Sequence, residues 1–227
     1  MADNNLGKTV TEILAYHNIS NNNRDPWATN PLLFKSEMQW VAEQGYKGIS
    51  LKKFYEDIEQ EKVFVLTFDD GYKDFFDVAM PILNKLGFSA TIFIVSKLIG
   101  NISLWRKKKL QSALLNWDEV NEMIKIGYEI GSHGLYHSNF SHLSREELEQ
   151  EIEGSKRLIE GKTGISIVSF SYPWNVYNEQ ILDVVRKADY KYAAINGEGC
   201  KNDFRVDQFR LCRRSINNRN SVKEFIK

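Results

Sequence analysis

Short runs of apolar residues alternate along the chain with segments in which apolar residues recur at helical spacing. The runs at 63–66 and 89–96 are rich in β-branched and aromatic residues, which is typical of buried strands. Between them, the segment 74–86 predicts a helix that ends at Gly87. The same alternation of strand and helix continues to Ile216. This order predicts a mostly parallel sheet that is covered by helices and closes into an irregular barrel.

The remaining elements follow from the same patterns. Strands are predicted at 12–19, 49–51, 165–171, 191–195 and 209–216, and helices at 34–44, 117–126, 144–162 and 177–188. The start of the helix at 144 has the form of a capping box, since Ser144 is followed by Glu147. The segment 97–116 has no regular pattern, and long insertions of this kind often lie beside a substrate. No repeat or low-complexity linker interrupts the chain, so residues 1–227 are expected to form one domain with a core over about 12–217.

Two adjacent carboxylates, Asp69 and Asp70, follow the apolar run 63–66 where that strand should end. Gly71 permits a sharp turn directly after them. The carboxyl ends of parallel strands are where α/β folds place their chemistry, and neighbouring carboxylates can there divide metal binding from proton transfer. Asp-Asp-Gly is also a common turn between a strand and a helix, so this segment alone does not decide between a site and a turn.

Two histidines four residues apart, His133 and His137, follow another strand-like run. On a helical turn this spacing would place both imidazoles on one face, as a metal requires. The pair is a weak signal by itself, although it holds two of the four histidines in the chain. Together with Asp70 it offers two nitrogens and one oxygen and leaves further positions for water and substrate. That open pattern is typical of a catalytic zinc-type site, whereas a structural site is closed.

The segments Thr67–Tyr72 and Ser132–His137 resemble the first two motifs of the polysaccharide deacetylase family. These proteins are the metal-dependent carbohydrate esterases of family 4, which share the chitooligosaccharide-deacetylase homology domain. A third segment, Phe170–Asn175, is similar to the aromatic-proline motif of that family, and the resemblance extends from about Ile13 to Ile216. It implies a single catalytic domain with a distorted (β/α)7 barrel. It also implies an enzyme that removes N-acetyl groups, as acetate, from poly- or oligosaccharides that contain N-acetylglucosamine.

The resemblance assigns roles to the first two motifs. Asp70, His133 and His137 would bind a divalent metal, with Zn²⁺ expected and Co²⁺ or Ni²⁺ as alternatives. A metal there would polarise the acetyl carbonyl and bring the pKa of a water from about 15.7 towards roughly 7. Asp69 would be the general base that takes a proton from the attacking water, so its surroundings must set a useful pKa.

The third motif would supply the substrate wall. By the family pattern, the backbone N–H of Tyr172 would donate to the oxyanion of the tetrahedral intermediate. Tyr172, Pro173 and Trp174 would contact substrate, with the Trp174 ring against the apolar face of a sugar. Asn175 stands where the family usually has glycine, and Asn tolerates the left-handed backbone that such a turn requires.

The expected general acid departs from the commonest family pattern. Many members end in a Leu-x-His motif whose histidine is the acid, whereas the segment 211–216 contains no histidine. The start Tyr16–Ile19 instead resembles the branch that acts on poly-N-acetylglucosamine, in which the motif order is circularly permuted and the N-terminal histidine is the acid. His17 is therefore the expected general acid, and a core histidine satisfied by backbone is the alternative. His142 is expected to be an exposed surface residue.

A second departure concerns the partner of the base. Many members carry an arginine where this chain has Ser171, and that arginine orients the catalytic aspartate. Arg213, in the last predicted strand, is the candidate replacement, because a guanidinium can hold a carboxylate through two hydrogen bonds. An ordinary surface arginine is equally compatible with the sequence.

Composition bounds the partners and the location. The formal net charge is zero, which argues against nucleic acid, and no apolar run approaches the length of a membrane span. Arg106–Lys109 is expected to be a solvated loop, with an anionic lipid or phosphate contact as the weaker alternative. Cys200 and Cys212 are expected to be ordinary thiols. The first residues lack a signal-peptide pattern, which predicts a cytoplasmic protein if residue 1 is the natural start, and an extracellular or cell-surface protein if a signal segment is missing.

Two other functions are compatible with these motifs. The same metal set could act on O-acetyl esters of a glycan, where the alcohol leaving group depends less on a general acid. A non-catalytic glycan-binding protein that keeps the barrel is the other alternative, although the presence of Asp69, Asp70, His133 and His137 together argues against it. A cytoplasmic location would favour a lipid-linked or nucleotide-linked sugar as the substrate over a polymer.

Overall fold

A closed barrel of parallel strands forms the centre of the protein. The computed structural model describes residues 12–56, 62–197 and 207–226. The strands are β1 (Ile13–Tyr16), β2 (Lys47–Ile49), β3 (Val63–Phe68), β4 (Thr91–Ile94), β5 (Glu129–Ser132), β6 (Ser169–Ser171), β7 (Tyr192–Asn196) and β8 (Leu211–Ser215). Seven of them close into a ring in the order β1-β8-β7-β6-β5-β4-β3, with β3 paired to β1, and every pairing is parallel. β2 lies outside the ring, on the edge of β3. The predicted distorted (β/α)7 barrel is confirmed.

Helices surround the barrel and begin and end at signals that the sequence carries. They are α1 (Pro31–Glu43), α2 (Leu51–Glu56), α3 (Met80–Leu86), α4 (Trp117–Lys125), α5 (Arg145–Thr163) and α6 (Glu179–Lys187). A π-helical turn at Phe75–Ala79 leads into α3, and Gly87 ends it with a φ of 66° that glycine adopts without strain. The predicted capping box opens α5, because the side chains of Ser144 and Glu147 each accept from the backbone N–H of the other.

The alternation of side chains along the strands determines what faces the barrel interior. Ile13, Val65, Phe93 and Leu211 come from four different strands and belong to one buried apolar cluster, which also includes Leu51 and Phe54 of α2 and is separate from the larger cluster that the other helices cover. Arg213 lies two positions beyond Leu211 on β8, so it points to the same side, and its guanidinium lies 5.5 Å from the centre of the Phe93 ring. The interior therefore has Arg213 at the carboxyl ends of the strands and an apolar layer beneath it. At the amino ends, the Glu129 carboxylate accepts from the hydroxyls of Thr91 and Ser169, which lie on the same side of their strands as Phe93 and Ser171.

The irregular insertion at 97–116 is fixed to the barrel mouth. An isolated antiparallel bridge joins it to Tyr72, directly after the β3 turn. Arg106 is largely buried, and its Nη2 lies 2.6 Å from Oδ1 of the buried Asp25 in the loop after β1. The expectation of a solvated loop is therefore wrong for Arg106, because it joins two loops across the barrel mouth. Lys107–Lys109 are exposed, as expected.

Cys212 lies in β8 and is disulfide-bonded. The expectation of an ordinary thiol is therefore wrong for this residue. Cys200, the other cysteine of the chain, lies outside the described residues. Along the described ranges, no helix combines the length and the apolar content that a membrane crossing requires.

Asp74, beside the π-helical turn, is expected to make stability depend on pH. Burial raises the pKa of this carboxyl to about 7, although a hydrogen bond from the Ile19 N–H opposes the change. The nearby charges of Asp77 and Asp25 raise the pKa further. Because the folded-state pKa exceeds the unfolded value of about 3.9, the folded state loses stability as pH rises from about 4 through about 7.

Asp74→Asn removes this cost while keeping an oxygen for the Ile19 N–H. We expect the substitution to raise the melting temperature by more at pH 8 than at pH 5, by about 2–4 °C for each kcal/mol gained, because the cost begins near pH 4 and is complete only above about pH 7. Thermal unfolding of both proteins at the two pH values measures the difference. An equal change at pH 5 and pH 8 would contradict the assignment.

Candidate active site

Asp70, His133 and His137 converge at the carboxyl ends of β3 and β5. The Nε2 atom of His133 lies 3.4 Å from Asp70 Oδ1, and that of His137 lies 3.2 Å from the same oxygen. One ligand atom from each side chain lies within 4.8 Å of those of the other two, and all three residues are buried. Two nitrogens and one oxygen therefore face a common point, and the predicted metal-binding set is spatially together.

The protonation pattern of this group suits a cation. Nδ1 of His133 lies 2.8 Å from the carbonyl oxygen of Ser171, so this nitrogen donates and Nε2 keeps its lone pair for a ligand bond. Asp70 Oδ1 is buried and makes no hydrogen bond of good geometry with any residue in the described ranges, although two imidazole nitrogens lie within 3.4 Å of it. A buried carboxylate oxygen without a donor is costly unless a cation satisfies it. These residues fit a divalent metal, and three ligands leave the open position of a catalytic site.

The ionised form of Asp70 is favoured. Burial alone would raise the pKa of this carboxyl, but the interactions with His133 and His137 outweigh it and hold the pKa well below its usual range. Asp70 is therefore a carboxylate that can act as a ligand.

The segment between the two histidines is a bend, not the helical turn considered from the spacing. Gly134 has a φ of 78° and His137 a φ of 61°, both in the left-handed region. The backbone therefore reverses direction locally and brings the His137 imidazole close to that of His133. In a helical turn, the four-residue spacing alone would have placed the two side chains on one face. The four-residue spacing thus correctly indicated that the two imidazoles lie together, but a bend and not a helical turn brings them there.

Asp69 is held by a buried arginine. Nη1 and Nη2 of Arg213 each lie 2.7 Å from one of the two oxygens of the Asp69 carboxylate, and Arg213 is only 2% exposed. The Ser171 hydroxyl accepts from Arg213 Nη2 at 2.9 Å and donates to Asp69 Oδ2 at 3.2 Å. The alternative of a surface arginine is therefore wrong, and the geometry is the bidentate one considered from the sequence.

The two oxygens of Asp69 differ in how many donors they receive. Oδ2 takes one bond from Arg213 and one from Ser171, whereas the one bond that Oδ1 takes within the described part of the chain comes from Arg213. A carboxylate oxygen can accept two hydrogen bonds, so Oδ1 has room for one more proton donor. Burial would raise the pKa of Asp69, but the charges of Arg213 and His133 outweigh it and leave the pKa lowered. Asp69 is therefore ionised, with one oxygen able to receive a proton.

His17 follows β1 and lies at the same end of the barrel. Its ring packs 5.0 Å from that of Trp27, and its buried Nδ1 has no hydrogen-bond partner within the described residues. The alternative of a histidine satisfied by backbone is therefore not supported at this nitrogen. Burial lowers the pKa of His17, while the charges of Asp69 and Asp70 act in the opposite direction. The His17 imidazole therefore lies close enough to both carboxylates for their charges to affect its pKa.

Tyr172 is placed differently from its expected role. Its backbone N–H donates to the carbonyl oxygen of Ala194 at 3.4 Å, which is a long hydrogen bond. An oxyanion would have to compete with that carbonyl oxygen for the N–H or share it. Its phenol is buried and donates to the carbonyl oxygen of Phe209 at 3.0 Å. Pro173 is buried as well. Neither the Tyr172 nor the Pro173 side chain therefore presents a surface to a sugar ring.

Of the three residues expected to contact substrate, Trp174 is the one whose side chain is exposed. Its side chain is 51% exposed, yet Nε1 donates to the carbonyl oxygen of His137 at 2.9 Å, so the ring is fixed beside the metal-binding group. Trp174 and Asn175 have φ values of 58° and 56°, and Asn175 exchanges two hydrogen bonds with the backbone of Asn196. The left-handed turn expected at Asn175 is present, and the bonds to Asn196 stabilise it.

Two aromatic residues near the histidines were missed by the sequence reasoning. The ring of Trp105, from the irregular insertion, stacks on His137 with 4.5 Å between centres and 13° between planes. Tyr136 lies between the two histidines and is 52% exposed. The only sequence signal for Trp105 was the long irregular segment that carries it, because aromatic residues in such a loop have no periodicity to reveal their partner.

Comparisons with known proteins agree with this site. The family model described as polysaccharide deacetylase matches residues 56–193. The Bacillus subtilis protein YxkH, named as a polysaccharide deacetylase, is 31% identical over 194 residues, which cover 82% of this chain and 64% of that protein. The poly-β-1,6-N-acetyl-D-glucosamine N-deacetylase of Staphylococcus epidermidis is 26% identical over 70% of this chain and 58% of its own length. The chain thus spans about three-fifths of these curated relatives.

Solved structures share the fold. The Streptococcus pyogenes deacetylase PplD, determined in complex with acetate, superposes with a TM-score of 0.82 at 25% identity and covers 96% of this chain and 98% of its own. IcaB from Ammonifex degensii superposes with a TM-score of 0.78 at 15% identity, over 92% of each chain. The barrel, the three motifs at its strand ends and the matched family model lead to one conclusion: the chain belongs to the polysaccharide deacetylase family.

Proposed function

We propose that this protein is a metal-dependent N-deacetylase that releases acetate from glycans containing N-acetylglucosamine. The observation that carries the proposal is the convergence of two charged groups at one end of the barrel. Asp70, His133 and His137 offer a cation site, and Asp69 stands next to it, ionised and fixed by Arg213. The similarity to an enzyme named for poly-β-1,6-N-acetyl-D-glucosamine supports the choice of sugar.

In this proposal the metal-binding group and Asp69 divide the work on water. A divalent ion held by Asp70, His133 and His137 supplies Lewis acidity, which polarises an acetyl carbonyl and makes water more acidic. Asp69 Oδ1, which has the spare acceptor position, takes the proton from the attacking water. Arg213 and Ser171 keep that carboxylate in one orientation throughout. Zn²⁺ is the ion we propose, since two imidazoles and one carboxylate are a common ligand set for catalytic zinc, with Co²⁺ or Ni²⁺ as alternatives.

His17 is proposed as the general acid for the amine leaving group. It sits across the barrel mouth from the histidine pair, and its pKa responds to Asp69 and Asp70. An imidazolium whose pKa is lowered by burial is a stronger acid than a free one, which favours proton donation to the departing nitrogen. The fixed, exposed ring of Trp174 is proposed as the wall on which a sugar ring lies.

We propose a polymer or oligosaccharide outside the cytoplasm as the substrate. The disulfide at Cys212 supports this choice over a cytoplasmic sugar precursor, because disulfides persist in oxidising compartments. Protein isolated from its natural host, denatured without reductant and treated with a thiol reagent should then show no thiol at Cys212. A free thiol at this position would count against the location.

The direct test is acetate release from N-acetylglucosamine oligomers by the Zn²⁺-loaded protein, beside an acetyl-ester substrate. Release from the oligomers that requires the metal would support the proposal. Release from the ester alone would overturn it in favour of an O-acetyl esterase. No release from either substrate, with metal bound, would favour a glycan-binding role.

An O-acetyl esterase remains the second candidate because burial lowers the pKa of His17 and so reduces its protonated fraction near neutral pH. An alkoxide leaving group from an ester depends less on a protonated acid than an amine does. His17→Ala should therefore reduce kcat on the amide by about 10²–10⁴-fold and reduce it much less on the ester. Equal losses on both substrates would contradict the acid role of His17.

A further inference from the structure

The loop that carries His137 is not stabilised by regular structure of its own. Residues 133–139 are neither helix nor strand, and Gly134 and His137 have positive φ values. Nδ1 of His137 is buried and has no hydrogen-bond partner within the described residues. The position of the second imidazole therefore depends on the backbone of the loop and on the aromatic rings of Trp105 and Trp174 beside it.

A buried carboxylate from α5 binds this loop. Oε2 of Glu151 accepts from the backbone N–H of Leu135 at 2.8 Å and of Tyr136 at 3.2 Å. Oε1 accepts from the Ser138 hydroxyl at 2.6 Å. Glu151 is only 5% exposed, and among the described residues no lysine, arginine or histidine forms an ion pair with it. Its charge is met by three donors that all belong to the histidine loop, and hydrogen bonds to an ionised acceptor are stronger than neutral ones.

The same face of α5 holds the other side of the loop backbone. Ser155, one helical turn after Glu151, donates to the carbonyl oxygen of Gly134 at 3.1 Å and contacts the Ser132 hydroxyl at 2.7 Å. A Cβ atom at Gly134 would lie 3.0 Å from Glu151 Oε2, which is closer than side chains normally approach. The glycine and the glutamate therefore fit each other, and the loop conformation depends on both.

We infer that Glu151 is a positioning residue for the metal-binding group, acting on His137 through the backbone between the two histidines. It does not touch the ligand atoms itself; its three hydrogen bonds fix the bend that brings the His137 imidazole back to Asp70. The inference rests on the metal site of the proposed function. Outer partners of this kind typically contribute a factor of about 10–100 in metal affinity.

The test compares three variants by Zn²⁺ affinity, measured by competition with a chromophoric chelator, and by the visible spectrum of the Co²⁺-loaded protein. Glu151→Ala should weaken Zn²⁺ binding by about 10–100-fold and change the Co²⁺ bands. Glu151→Gln should restore affinity to within about threefold, because its amide oxygen can accept from both backbone N–H groups and its amide nitrogen can donate to the Ser138 hydroxyl. Glu160→Ala is the matched control, since Glu160 lies on the same helix and accepts from the Ile167 N–H at 2.9 Å, away from the histidines.

Wild-type Zn²⁺ affinity in Glu151→Ala, or an equal loss in Glu160→Ala, would overturn the inference. If Glu151→Ala does not fold, Ser138→Ala removes one of the three donors; a few-fold loss of affinity then supports the inference and an unchanged affinity overturns it. Metal affinity is measured without substrate. A protein that binds Zn²⁺ through this loop but releases no acetate would refute the proposed function and leave the role of Glu151 intact.

Discussion

Asp69→Asn is expected to reduce kcat for acetate release by about 10²–10⁴-fold while the protein still binds its metal. An amide in place of the carboxylate keeps an oxygen for Arg213 but cannot take a proton from water. The substitution removes the basicity of Oδ1, which receives one hydrogen bond from the described residues and so has room for a proton, whereas Oδ2 receives two. Steady-state kinetics on N-acetylglucosamine oligomers and a metal titration measure the two effects separately.

Asp70→Asn is the matched control for this prediction. The two aspartates are adjacent and equally buried, but Asp70 faces the imidazoles of His133 and His137. Its substitution should weaken metal binding, and activity should recover partly at high metal concentration. Activity of Asp69→Asn must not recover in that way. If it did, Asp69 would belong to the metal-binding group and not act as the base.

Arg213→Met is expected to destabilise the folded protein by about 3–5 kcal/mol, the usual consequence of leaving one charge of a buried pair without its partner. Arg213 is 2% exposed and makes two 2.7 Å bonds to Asp69, which is buried to the same extent. The melting temperature should fall by on the order of 10 °C. Chemical or thermal unfolding of the two proteins under identical conditions measures the change.

A double substitution distinguishes a pair effect from a simple packing defect. In Asp69→Asn combined with Arg213→Met both charges of this pair are removed, so neither is left buried without its partner and the loss of stability should be smaller than the sum of the two single losses. If the loss of stability in the double variant equals the sum of the losses in the two single variants, the methionine simply packs poorly beside Phe93 and the ion pair itself contributes little.

The sequence predicted those features that depend on local pattern and on the geometry of parallel sheets. Strand ends that share one edge bring Asp69, Asp70, His133 and His137 together however far apart they lie in the chain, so their proximity could be expected. The capping box at Ser144 was predictable because both of its hydrogen bonds join residues three apart. Even Arg213 could be nominated, since the third motif lacked the arginine that the family pattern supplies.

What the sequence did not reveal depends on side chains that meet over long distances. The bend between the histidines needs Glu151 from a later helix, so the His-x-x-x-His spacing alone suggested a helical turn. Arg106 looked like part of a solvated basic run because its partner, Asp25, lies in another loop. The Tyr172 N–H is expected from the family pattern to donate to an oxyanion, and nothing in the motif indicates that the carbonyl oxygen of Ala194 accepts from it.

The pairing of β8 with β1 has a consequence for how the protein is made. Leu14 on the first strand pairs with Arg214 on the last, and Arg214 is the residue next to Arg213. The bond from Arg213 to Asp69 spans 144 residues, so the ring of strands and the orientation of the base are completed by the same late segment. Contacts of such long range form slowly, and a chain still growing from the ribosome lacks them altogether. Newly synthesised protein would therefore lack the proposed activity until β8 has docked, which couples the onset of that activity to the closure of the barrel.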